Sequence, residues 1–284
     1  MKLTAIIFLS VLMACSNNNT SLVKSAESKA SENAKGIVVP PVECGVEGFY
    51  TGIFEATKYD PDKEVFDNQL TICIDSIGEK NIYGHSIVAG NDRPFSGSYH
   101  MENNDYIVSV QEPGDNKYDG IFKFAINSKG KSLSGTWHAN NNLPVTERKY
   151  KLAYNSYSYS PSFELPGEII ESPIYGTYNK KTGKQEVLTG DVLTLNASQK
   201  LLKSSDVENV YATDLEVIRN AIYARHGYSF KNLRMRTLFD NAVDWYMPAS
   251  TDVTSVLTEI EKKNIELIKR YEKHATKYYD VFGR

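Results

Sequence analysis

A chain of 284 residues with 41% apolar content is long enough to build two ordinary cores, and 32 basic against 35 acidic side chains leave a net charge of -3. That balance excludes recognition driven by bulk charge, so neither a nucleic acid partner nor a whole-protein electrostatic hold on a membrane is expected. Tyrosine is abundant, at 19 residues, and a ring with a wet hydroxyl suits half-buried strands and binding surfaces.

The first element is a lone Lys2, an apolar run of 11 residues from Leu3 to Met13, and the tetrapeptide Leu12-Met13-Ala14-Cys15. The run is far short of the roughly 20 residues that span a bilayer, so 1–14 reads as a signal peptide and not as a transmembrane helix. A small residue set directly before a cysteine resembles the bacterial lipoprotein signal. The resemblance implies cleavage before Cys15, acylation of its thiol with chains such as palmitate, and attachment to the membrane through that lipid. The competing reading is an ordinary secretory signal with Cys15 left free. Ser16 without a nearby acidic run points to the outer membrane over the inner, with the periplasmic or surface side left open.

Residues 15–41 are rich in Ser, Asn, Lys and Glu and end at Pro40-Pro41. Such a stretch buries too little apolar surface to offset its ordering entropy, and it reads as a flexible tether with a reach of roughly 25 to 30 Å. With Cys15 lipidated, Cys44 and Cys73 remain as a disulfide pair in an oxidising compartment, favoured over two free thiols. The bond would contribute roughly 3 kcal/mol in the chain-entropy model. No paired Cys or His spacing accompanies them, so no metal and no cofactor is expected.

From 42 to 155 the pattern has period two. Leu70, Ile72 and Ile74 share one strand face while Thr71, Cys73 and Asp75 share the other, which is expected to be wet; Phe95, Tyr99 and Met101 likewise oppose Ser96, Ser98 and His100. About eight such runs, beginning near Phe49, Leu70, Ile82, Phe95, Tyr106, Gly120, Leu133 and Arg148, are separated by turn clusters such as Glu102-Asn103-Asn104-Asp105. A Gly followed within two residues by an aromatic recurs at Gly48, Gly97, Gly120 and Gly135, as a curling sheet requires. The expectation is an antiparallel barrel with lipocalin-like architecture, its lumen either packed core or ligand pocket. His85, His100 and His138 read as solvated. The stretch Ile87 to Phe95 reads as a loop with a charged Asn91-Asp92-Arg93 tip. Residues 156–204 form a connector with short strands near Thr177 and Val187.

The period turns helical near Asp206. Thr213 and Glu216 form one capping-box pattern and Thr258 and Glu261 another, marking helix starts near 214 and 259. Leu215, Ile218 and Ile222 form a stripe closed by Gly227 as a left-handed cap; a second helix is expected over 233–240. A third carries Ile260, Leu267, Ile268 and Tyr271. The run Arg219-Asn220-Ala221-Ile222-Tyr223-Ala224-Arg225-His226-Gly227-Tyr228, followed by Phe239, Trp245-Tyr246, Pro248, Glu261 and Asn264, resembles the YARHG domain. The resemblance implies a small three-helix bundle over 205–284 and an extracytoplasmic accessory module without established chemistry. The fold class is therefore α+β, a barrel followed by a helical bundle.

Arg219, Arg225, Lys231, Arg234 and Arg236 either gather into an anion-binding cluster or pair internally, with Arg219 or Arg225 meeting Glu261 or Glu266 and Asn220 and Asn264 cross-linking backbone. Internal pairing is favoured, because buried Arg, Asn and His need partners. No Gly-x-Ser-x-Gly elbow, His-Glu-x-x-His or phosphate loop is present, and no catalytic residue is assigned. The leading reading is a non-catalytic envelope module that binds a polymer or a protein. The alternatives are an inhibitor or immunity-type lipoprotein using the 91–93 loop, and a hydrolase using His226 with Asp240 or Asp244.

Overall fold

The computed structural model describes residues 45–278 apart from 128, 130, 173, 176 and 180–182. The signal segment, the tether, Cys15 and Cys44 lie outside the described residues. All described residues belong to one compact unit.

Eight strands form a closed antiparallel barrel in meander order: β1 (Gly48–Tyr59), β2 (Asn68–Ile77), β3 (Asn81–Val88), β4 (Asn91–Glu102), β5 (Asp105–Gln111), β6 (Gly120–Asn127), β7 (Ser132–Ala139) and β8 (Val145–Asn155), with β8 pairing back on β1. Closure removes the exposed edges that an open sheet would present. Asn103 and Asn104, at φ +51° and +69°, make the two-residue turn from β4 to β5, the left-handed geometry that matches strand twist. Ala89 and Gly90, at φ +53° and +72°, do the same between β3 and β4. The expected loop from Ile87 to Phe95 is therefore corrected: Asp92 and Arg93 lie within β4, and only a two-residue turn separates the strands.

Alternate residues fill the lumen. Leu70, Ile72 and Ile74 are each 0% exposed. Above them Phe54, Phe122, Trp137 and Tyr150 form a ring cluster, with Phe54 meeting Trp137 edge-on at 5.7 Å between centroids. The recurring Gly-aromatic pattern has a steric cause, since a Cβ on Gly120 would collide with the Trp137 indole and one on Gly135 with the Lys123 carbonyl. Most of the lumen is packed core, and the filling stops short of one mouth.

The outer face of β2 departs from the expected alternation. Thr71 and Cys73, placed on a wet face by period alone, are both buried, and the helix over Leu233–Ala242 packs on this strand. Met247 and Tyr157 join Phe49 and Cys73 in one apolar contact. The Gln69 N–H donates to Asp240 Oδ2 and the Gly90 N–H to Ser229 Oγ, both at 2.9 Å, fixing the barrel to the helices. His100 is exposed and His138 half exposed, as expected for solvated rings.

Beyond the barrel, β9 (Thr177–Asn179) pairs with β10 (Lys184–Glu186), followed by α1 (Asp191–Thr194), α2 (Ser204–Val207), α3 (Ala212–Arg225), α4 (Leu233–Ala242) and α5 (Glu259–Tyr278). The three long helices are those expected, and two single-turn helices precede them. Leu215, Ile218 and Ile222 of α3 are buried with Leu238, Phe239 and Ile268. Two expectations need correction. Thr213 does not cap α3, which starts at Ala212, because its hydroxyl donates to the Val187 carbonyl at 2.6 Å. Ile260 is exposed at 39%; the inward stripe of α5 runs through Glu261, Asn264, Ile265 and Ile268, so polar side chains hold the first core positions.

Candidate functional site

The end of α3 is built as a Schellman motif. Gly227 at φ +70° lets its N–H reach the Ala224 carbonyl at 2.9 Å and the Tyr228 N–H reach the Tyr223 carbonyl at 3.0 Å. This turn aims His226 inward, where its Nε2 lies 2.7 Å from Glu261 Oε2. The same Oε2 accepts from the Thr258 N–H and hydroxyl, while the Glu261 N–H donates to Thr258 Oγ1, so the second expected capping box is present. Tyr159 donates to Glu261 Oε1 at 3.2 Å, and its ring stacks on His226 at 4.2 Å. Burial alone would raise the Glu261 carboxyl; the bonds from His226 and Thr258 outweigh it and hold it below the usual range.

Arg225 is 3% exposed and donates to the Phe163 carbonyl and to Ser198 Oγ. Burial pulls its guanidinium down to about 10, against the pull of Glu261 and Tyr159. Arg219 forms a two-pronged pair with Glu272, at 2.9 and 3.1 Å, in place of the expected Glu261 or Glu266. Asn220 bonds back to the Glu216 carbonyl within its own helix. Asn264 cross-links backbone as expected, donating to the Ala197 and Lys200 carbonyls and accepting from the Leu202 N–H. Tyr223 and Ala224 contribute the carbonyls that close the cap. Residues 191–273 match the YARHG domain. No curated protein and no solved structure matches the chain. The match starts at Asp191 and so takes in the loop whose carbonyls Asn264 holds. The YARHG signature residues are thus spent on internal bonds. His226 bonds to Glu261, whereas Asp240 accepts from Gln69 on the barrel. Arg225 borders a cavity of about 200 Å³ with Asp244 and Trp245, and His226 does not line it.

A further opening is the barrel mouth, a cavity of about 480 Å³. Its floor is Phe54, Phe122 and Trp137, its rim includes Leu143, Pro144 and Val145, and its polar side chains are Asn68, Asn91, Glu112, Tyr118, Arg148, Lys231 and Arg236. The last two come from the YARHG domain, so the site is composite. Volume and lining fit a small-molecule pocket, mostly apolar with a few convergent polar groups. Glu112 is occupied, accepting from Ser86 Oγ and the Gly120 N–H at 2.7 Å each, and burial outweighs these bonds to raise its carboxyl. Arg148 donates to the Phe54 and Phe66 carbonyls and lies 5.1 Å over the Phe54 ring. Burial lowers its guanidinium, Asp67 opposes that, and the like charge of Arg236 adds to it. Among the described residues no carboxylate lies within 4.0 Å of Arg148, Lys231 or Arg236.

A second cluster sits outside the barrel. Cys73 Sγ donates to Asp75 Oδ1 at 3.4 Å and His85 Nδ1 meets Asp75 Oδ2 at 3.2 Å, with one donor atom from each residue within 4.8 Å of the others. Sulfur, nitrogen and oxygen donors so placed can hold a soft divalent cation. Cross-strand register creates the cluster, because Cys73 pairs with His85, and sequence spacing cannot reveal that. Burial and the neighbouring Asp75 push the thiol well above its ordinary range. Cys44, the other half of the expected disulfide, lies outside the described residues.

Of the mouth residues, Lys231 and Arg236 belong to the basic cluster that the sequence offers as an anion site, whereas Asn68, Glu112 and Arg148 were not among the sequence candidates, yet they carry a signal. Asn68 is in phase with Leu70 and Ile72, Glu112 with Val108 and Val110, and Arg148 with Tyr150 and Leu152. A polar residue at the end of an inward apolar phase marks where a barrel lumen stops being core.

Proposed function

We propose that this chain is a non-catalytic binding module, held at the bacterial cell envelope through a lipid on Cys15, that takes its ligand at the barrel mouth. One contrast carries the reading. The YARHG residues that a catalytic role would need are committed to internal bonds, whereas the mouth offers an open cavity whose cationic side chains have no carboxylate within 4.0 Å among the described residues. The YARHG domain then serves as a brace that supplies Lys231 and Arg236 to the rim. The lipoprotein signal supports an outer-membrane location, and an envelope polymer or an envelope protein remains the partner class. The inhibitor reading loses its loop, since Asp92 and Arg93 are strand residues.

The test is capture of peptidoglycan and envelope proteins on the immobilised mature chain, alongside a Leu143→Trp variant that fills the mouth. Capture lost in the variant supports the reading. Equal capture by both proteins removes the mouth from it, and turnover lost specifically in a folded His226→Asn variant would replace binding with catalysis.

A further inference from the structure

Three features of the mouth point to one ligand chemistry, and the inference rests on the mouth being the binding site. First, the floor is aromatic and the Leu143-Pro144-Val145 side of the rim apolar, so the body of a ligand is apolar. Second, Arg148 and Arg236 line one cavity with no carboxylate within 4.0 Å of either among the described residues, Asp67 and Asp240 acting on them only from farther off, which favours an anion between them. Third, Asn68 is 7% exposed and its Oδ1 has no hydrogen-bond partner among the described residues, although its amide donates to the Phe66 carbonyl at 3.4 Å. A buried acceptor of this kind is normally satisfied, so a ligand with a donor near its anionic head would complete it.

We propose that the barrel mouth binds an amphipathic organic anion whose head also carries a hydroxyl or amide donor, with its body on Phe54, Phe122 and Trp137 and its head among Arg148, Arg236 and Asn68. Lys231, exposed at the rim, draws the anion in, while Glu112 stays committed to Ser86 and Gly120 and keeps the wall beneath the head rigid. The two modules would therefore share one ligand, the barrel holding its body and YARHG helix α4 half of its charge.

The probe set is 3-hydroxydecanoate, its methyl ester and decanoate, titrated on the mature protein with Trp245→Phe so that Trp137 is the fluorescent reporter. Trp245 lies on the YARHG side stacked on Phe163, away from the mouth lining. The hydroxy acid should bind about tenfold or more tightly than its ester, the loss expected of one charge-assisted bond, and several-fold more tightly than decanoate. Arg236→Gln, which removes no side-chain hydrogen bond among the described residues, should collapse the acid-to-ester ratio and leave the hydroxyl ratio intact. Asn68→Leu should do the reverse. Vesicles of phosphatidylglycerol, whose headgroup offers the same anion and hydroxyls, should compete with the probe if the source is a bilayer lipid. Without competition the source is a free acid. Equal binding of acid and ester overturns the anionic ligand while leaving a mouth binder in place. Unchanged ratios in both variants overturn the residue assignment. Loss of all probe binding, with envelope capture still blocked by Leu143→Trp, overturns the ligand class and spares the mouth. If that capture is also unaffected by Leu143→Trp, the underlying binding reading fails.

Discussion

Asp240 offers the sharpest test of the seam between barrel and YARHG domain. Its carboxylate accepts from the Gln69 N–H, and burial raises it from 3.8 to about 7, against the lowering effects of that bond and of Arg236. For an acid raised on folding, the native state holds a proton that the unfolded chain has released, so stability falls as pH rises from about 4 to about 7 and is level above that. Between pH 5 and pH 8 the interval lying below the native value is about two units, at about 1.4 kcal/mol each, which amounts to about 3 kcal/mol. Asp240→Asn keeps an acceptor for Gln69 and removes the titration. Urea unfolding of both proteins at pH 5 and pH 8 should show the variant gaining about 3 kcal/mol on the wild type at the higher pH. All other titrating groups are common to both proteins and cancel in the difference. Parallel pH profiles for the two would refute the reasoning, because Asp240 would then be solvated and the seam open.

His226→Ala should destabilise by about 3 kcal/mol or more, since it strips a buried partner from Glu261, and urea midpoints will report it. A loss below about 1 kcal/mol would mean that the pair is solvated. Gly227→Ala places a side chain at φ +70° and a Cβ 2.8 Å from the Tyr157 ring; a cost above about 1 kcal/mol by thermal unfolding is expected, and neutrality would count against the cap. Ser229→Ala leaves the Gly90 N–H without its acceptor at a buried turn, with an expected loss of about 1 to 3 kcal/mol and faster amide exchange at Gly90. Unchanged exchange would remove that contact from the seam.

The barrel was legible because its strands obey period two and Asn103-Asn104 is a turn of the kind hairpins prefer. The Ala89-Gly90 turn was hidden because alanine seldom occupies left-handed backbone, and the polar residues after it resemble a loop. Periodicity also failed at Cys73, which is covered by Tyr157 and Met247 more than 80 residues downstream, a contact that no local pattern encodes. Within the YARHG domain the Gly227 cap and the Thr258-Glu261 box follow from local chemistry and were read directly. Arg219 found Glu272 because the two helices cross there, a register the sequence leaves open. The mouth cavity was hidden for a further reason: Asn68, Arg148 and Arg236 come from distant segments and converge only when the barrel closes and α4 docks.

The Glu261 carboxylate makes the signature behave like a lock with three tumblers. Tyr159 reaches it from the connector, His226 from the end of α3, and Thr258 from the start of α5. Since each arrival lowers the cost of burying the charge for the others, no two of these segments can settle properly while the third is absent. A truncation after α4 would therefore damage more than the missing helix, leaving His226 without an acceptor and Tyr159 without an anchor. The pentapeptide would still be spelled in such a fragment, but the architecture it names would not form.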